Sequence, residues 1–135
     1  MIRVSDSDGD RAAWTFSADP GAVRAARSAV RDQLRLWDLD SVGDLTALLV
    51  SELVTNALRH ASGPIGVRLL RPTDAARVLR VEVSDTLPDL PLARDARPDD
   101  EGGRGLRLLA SASRRWGARP CAAGKTVWFE LAVPR

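Results

Sequence analysis

Apolar and polar positions divide the chain into segments with distinct periods. Trp14 and Phe16 alternate with polar neighbours over Ala12 to Ser17, the pattern of a half-buried strand. Asp19-Pro20 then supplies a helix-starting pair, and Val23, Ala26, Val30, Leu34 and Trp37 recur at helical spacing. After a break at Asp38 to Asp40, Ser41 and Asp44 form an approximate capping box for a second helix running to about His60. Ile65, Val67 and Leu69 alternate, as do Leu79, Val81 and Val83, so two strands follow, the second ending at Asp85. Thr86 to Glu101 reads as a long loop with a cluster of acids. A helix is expected from about Leu106 to Arg115, then a closing strand pair over Trp116 to Cys121 and Thr126 to Val133. This order predicts an α+β fold: a two-layer sandwich with a mixed, mostly antiparallel sheet and its helices on one face.

With 135 residues, the chain has material for one domain and one core. Residues 1–10 are polar and acidic and read as a flexible N-terminal segment, leaving 11–135 as the single domain. No apolar run approaches the roughly 20 residues of a membrane span, and Met1 to Asp10 does not resemble a secretory signal, so the expected location is the cytoplasm without a membrane partner. Cys121 is the sole cysteine, which excludes an internal disulfide and a cysteine zinc cluster. The net charge is only +2, and the arginines are spread from Arg3 to Arg135 among 18 acids. A direct nucleic-acid partner is therefore not expected.

Candidate chemistry sits where polar residues interrupt apolar patterns. Leu45, Leu49, Leu53 and Ala57 form one stripe of the second helix, and Val50, Val54 and Leu58 another. Glu52 and Asn56 lie four apart beside them and project from one side of the helix. Their oxygens suit a hard cation such as Mg²⁺, although on spacing alone a solvated Glu–Asn pair is the simpler reading. Asp85 continues the inward alternation of Val81 and Val83, where a carboxylate needs a hydrogen-bonding partner; an Asp opening a turn explains it as simply. Gly102, Gly103 and Gly105 precede a helix, an arrangement that suits phosphate, and Arg104 adds a cation. Leu108 stands where a dinucleotide fingerprint would have its third glycine. Gly124-Lys125-Thr126 is no P-loop, because Arg119 replaces the upstream glycine and a strand follows.

Taken together, these motifs resemble those of the histidine-kinase and Hsp90 type of ATPase domain (the GHKL family), in its stand-alone anti-sigma-factor form. Val50-Ser51-Glu52-Leu53-Val54-Thr55-Asn56-Ala57-Leu58-Arg59-His60-Ala61 resembles the family's N-box, and Val81-Glu82-Val83-Ser84-Asp85 its adenine-binding box. Gly103-Arg104-Gly105-Leu106 resembles the glycine box after the ATP lid, and Lys125-Thr126-Val127-Trp128-Phe129 the last strand. The resemblance implies a Bergerat-type ATP-binding fold holding ATP and Mg²⁺. On it, Asn56 would ligate the metal, and Glu52 would be general base toward a water or a partner's serine hydroxyl. Asp85 would accept the adenine amino group and Thr126 would support that contact. Gly103, Arg104, Gly105 and Leu106 would serve the phosphates. His60, at a helix end, reads as a packing or cap residue.

The compact chain has no segment for a phospho-acceptor dimerisation helix, so the resemblance is to serine/threonine kinases that act as anti-sigma factors. It implies a sigma factor and a small anti-anti-sigma protein of the STAS type as partners, the latter phosphorylated. The opening strand could lie at a sheet edge and pair between chains, which leaves a homodimer open. One departure from the family pattern stands out: Thr86-Leu87-Pro88-Asp89 follows Asp85 where the family has two glycines. These residues would narrow the approach to the base, and a non-catalytic docking protein is the alternative function.

Overall fold

The computed structural model describes residues 3–7, 9–60, 62–73, 75–87, 101–122 and 124–134, the side chains of residues 3–7 and 101–106 excepted. Six strands form one sheet: β1 (Arg3–Ser7), β2 (Arg11–Phe16), β3 (Ile65–Leu70), β4 (Val78–Asp85), β5 (Arg115–Cys121) and β6 (Gly124–Ala132). Three α-helices join them: α1 (Ala22–Leu36), α2 (Gly43–His60) and α3 (Glu101–Ala112). The strand order is β1-β2-β3-β4-β6-β5, and every neighbouring pair is antiparallel. The α+β sandwich is as expected, but the sheet is antiparallel throughout rather than mixed. Two helices in succession between β2 and β3 return the chain to the end it left, so β3 comes back antiparallel. The single helix α3 makes β5 run parallel to β4, yet β6 inserts between them. Arg3–Ser7, expected to be a flexible segment ahead of the domain, contributes the edge strand β1.

The core lies between the sheet and the helices. Alternation along the strands sends Ala12, Trp14 and Phe16, then Ile65, Val67 and Leu69, then Leu79, Val81 and Val83, into it. From α1 come Ala22, Ala26, Ala29, Val30 and Leu34, mostly small residues that let α1 lie close against α2. The α1 start lies two residues later than expected: Gly21 is the N-cap, and the Asp19 carboxylate accepts from the Gly21 N–H at 2.9 Å. At its other end, Asp38 takes the left-handed conformation (φ 59°), and the Leu39 N–H donates to the Leu34 carbonyl at 2.8 Å. That is the Schellman arrangement, which stops the helix without glycine because Asp tolerates the left-handed region. Ser41 does not head α2; it lies inside the 3₁₀ turn Asp40–Val42 that runs directly into it.

On the open face of the sheet, arginines far apart in sequence converge. Arg68, Arg80 and Arg119 surround Glu82, which is buried, at 3.5, 3.0 and 3.5 Å. Arg80 and Arg115 reach Glu130 at 3.2 and 3.6 Å and flank the Trp128 ring, with Arg80 4.2 Å from its centroid. The two carboxylates hold like charges together on a surface that helices do not cover.

Leu34, fully buried between α1 and α2, tests the packing. Leu34→Ala should lower the unfolding free energy by about 2–5 kcal/mol, read by urea denaturation. A loss below about 1 kcal/mol would mean that the helical layer is not close-packed here.

Candidate functional site

Three elements, α2, β4 and α3, carry the residues that the sequence singled out for the metal, the adenine amino group and the phosphates, and β6 carries Thr126. On α2, Leu49, Val50, Leu53, Val54 and Ala57 are buried, whereas Ser51, Glu52, Thr55 and Asn56 form a half-buried flank. The same helix packs on β4 and on α3, so this flank belongs to a helix touching both other site elements. Ser51 donates its hydroxyl to the Ala47 carbonyl at 2.7 Å. Glu52 and Asn56 have no side-chain hydrogen bond or ion pair among the described residues, so their oxygens are uncommitted. A carboxylate and a carboxamide with free oxygens fit Mg²⁺, which takes one or two protein oxygens and fills the rest of its shell with phosphate and water.

Asp85 ends β4 and is buried, pointing to the helix side with Val81 and Val83. Its carboxylate has a partner: Lys125 Nζ lies 2.9 Å from Oδ2 and 3.0 Å from Oδ1. Lys125 is itself only 4% exposed, so the ion pair is closed to water on both sides. The Leu87 N–H also donates to Oδ1, at 2.8 Å. The pairing follows from register, since Asp85 is directly opposite Lys125 on β6. Ser84 is opposite Thr126, and their hydroxyls share a hydrogen bond of 2.8 Å. Successive residues of a strand point to opposite faces. Thr126, expected beside the purine, therefore lies on the open face with Ser84, and Lys125 occupies the position that faces Asp85.

Sequence reading missed Lys125, although a signal was there. Lys125, Val127, Phe129 and Leu131 alternate inward just as Val81, Val83 and Asp85 do, and Lys125 is the only lysine in the chain. The surrounding backbone is tight. A side chain at Gly124 would bring its Cβ to 2.7 Å from Thr86 Cα, so only glycine lets the β5–β6 turn come this close to the end of β4. From the other side, the Gly63 N–H donates to Thr86 Oγ1 at 3.3 Å. Thr86, which stands where a glycine was expected, is thus held between two loops. Pro88 and Asp89 lie outside the described residues.

The glycine box is not a turn before a helix. Gly102, Gly103, Arg104 and Gly105 lie within α3, which begins at Glu101 rather than near Leu106. N–H groups in the first turn of a helix suit an anion in general; the residues that precede Glu101 lie outside the described ones. The side chains of Arg104 and Leu106 lie outside the described residues, as does any contact of Gly103 and Gly105. Leu109 is fully buried and anchors the helix in the core. His60 is the exposed last residue of α2, and Cys121 is exposed at the end of β5.

The family model for the histidine kinase-like ATPase domain matches residues 16–131, from the last residue of β2 to Leu131 near the end of β6. The chain belongs to the histidine kinase-like ATPase domain family. No curated protein matches it significantly. Membership makes ATP the nucleotide for which this fold is built, and it fits the free oxygens on α2 and the N-terminus of α3. The committed Asp85 fits less readily, because the acid expected to meet the base already holds a cation. Among the described residues, no helix is long and apolar enough to cross a membrane.

The ion pair can be tested in the nucleotide-free protein. Asp85→Asn leaves a buried ammonium without its counter-charge and should cost about 3–5 kcal/mol of stability. Adding Lys125→Met should restore most of that loss in denaturant titrations. A double variant as unstable as the sum of the two single ones would mean that the groups do not interact.

Proposed function

We propose that this chain is an ATP- and Mg²⁺-dependent regulatory protein of the anti-sigma kinase type. It transfers the γ-phosphate of ATP to a serine or threonine of a small anti-anti-sigma partner of the STAS type, and it holds a sigma factor in the alternative state. Its place of action on this reading is the cytoplasm. The observation that carries the proposal is the pair Glu52 and Asn56, both half-buried on one flank of α2 with their oxygens uncommitted. Phosphoryl transfer asks a protein mainly for positioning and charge stabilisation. Asn56 would ligate Mg²⁺, and the metal supplies charge neutralisation on the phosphates. Glu52 would take the proton of the attacking hydroxyl as the new bond to phosphorus forms and ADP leaves. The first turn of α3, with Gly103, Arg104, Gly105 and Leu106, would serve the phosphates. Asp85 would receive the adenine amino group. Thr126, whose hydroxyl bonds Ser84 on the opposite face, would support the adenine contact through β4.

A second reading is a protein that docks partners without catalysis. Two observations favour it: Asp85 is held by Lys125, and Thr86 replaces a glycine beside it. Calorimetry with Mg-ATP separates the two. On the kinase reading ATP binds, and Asn56→Ala abolishes the gain in affinity that Mg²⁺ provides. With a candidate partner, labelled γ-phosphate is transferred, and Glu52→Ala slows transfer by about 10²–10⁴-fold, the usual contribution of a general base. Binding without transfer, or transfer unaffected by Glu52→Ala, would favour the docking reading or remove Glu52 from the base role.

A further inference from the structure

Resting on the reading of Asp85 as the purine-binding acid, we propose that Lys125 sets the affinity and base selectivity of the site. It is an internal cation that occupies the carboxylate and has to leave before an adenine can be held. The Asp85 carboxylate is heavily committed: Oδ1 accepts from both Lys125 Nζ, at 3.0 Å, and the Leu87 N–H, at 2.8 Å, and Oδ2 meets the same ammonium at 2.9 Å. The two side chains are 5% and 7% exposed, so the edge of a base cannot reach the acid while the pair is closed. The backbone cannot widen the opening cheaply, with Gly124 packed on Thr86 and Thr86 bonded to Gly63.

The competition is unequal. Both contacts are hydrogen bonds to an ionised acceptor, but the ammonium also brings a full opposite charge, whereas the 6-amino group of adenine is a neutral donor and lacks that Coulomb attraction. Adenine therefore wins only with help from the ribose and triphosphate. Lys125 is able to leave, because its four-carbon stem rotates freely once released and its head is readily hydrated. In the nucleotide-free protein the lysine has a use of its own: it spares the fold a buried, unpaired carboxylate, which is strongly destabilising. The same contact that satisfies the empty site thus weakens recognition of the amino group.

The test compares ATP with purine riboside triphosphate, which lacks the 6-amino group, by calorimetry in Mg²⁺. The parent should bind the two with similar affinity. Lys125→Met should bind ATP about tenfold more tightly and prefer it over the analogue by a similar factor, the scale of one charge-assisted contact. Lys125→Arg, which keeps a cation, should keep the parent's ratio. A change in overall folding would move both ligands alike and leave the ratio unchanged.

A second measurement needs no variant. Because Lys125 is the only lysine, lysine-selective ¹⁵N labelling gives one side-chain ammonium signal. Saturating ATP should shift it, and tripolyphosphate should not. ATP that binds with an unchanged ratio in Lys125→Met, or with an unshifted ammonium signal, would overturn the role of Lys125 and leave the nucleotide site standing. If neither triphosphate binds parent or variant, the purine reading of Asp85 falls with it.

Discussion

The register between β4 and β6 governs what this protein can do. Eight cross-strand pairs join the two strands, and the last of them sets Asp85 opposite Lys125. Shifting the register by one residue would turn every side chain of one strand to the other face. Either Val81 and Val83 of β4 or Val127 and Phe129 of β6 would then leave the core, so apolar burial fixes the register. The buried ion pair is therefore a consequence of core packing rather than an independent device. The same register sends Thr126 to the open face, where its hydroxyl bonds Ser84.

Around that strand end, the fold divides its tasks between layers. The helical layer supplies polar groups without a partner among the described residues, Glu52 and Asn56 on α2, and the glycine-rich first turn of α3. The sheet supplies a rigid acid whose position is fixed on every side. Its open face is a different environment, in which Glu82 and Glu130 hold four arginines, two of them, Arg80 and Arg115, over Trp128. Charge that looks scattered along the sequence is concentrated there by strand pairing. The helix-covered face and the open face share strands but not side chains, so changes on one can be made without touching the other.

Much of this was legible in the sequence wherever a strong period met a buried face. β2, β3, β4 and β6 follow from alternation, and α1 and α2 from helical spacing, because in each the buried side chains form a stripe; β5 holds no buried residue and is placed by its pairing with β6. β1 was not legible: Arg3-Val4-Ser5-Asp6-Ser7 holds a single apolar residue, and an edge strand is formed by pairing with β2 instead. The start of α3 was missed for the opposite reason. Three glycines in its first five residues argue against a helix by propensity, and the context overrides that preference. Glu52, Asn56 and Asp85 could be picked out as polar breaks in apolar patterns. What Asp85 touches could not, since its partner is 40 residues away and only the register brings them together. Thr126 was picked out by its motif, and its face could not be read that way: its hydroxyl bonds Ser84, and its neighbour Lys125 holds the inward parity.

The account stands on a nucleotide site formed by α2, the end of β4 and the start of α3. Its most direct test is a crystal structure with ATP and Mg²⁺ at saturating concentration. It predicts the purine edge at Asp85 with Lys125 swung away, the metal about 2.1 Å from the Asn56 carboxamide oxygen, and the phosphates at the N-terminus of α3. A nucleotide bound elsewhere, or no nucleotide above a closed Asp85–Lys125 pair, would contradict it.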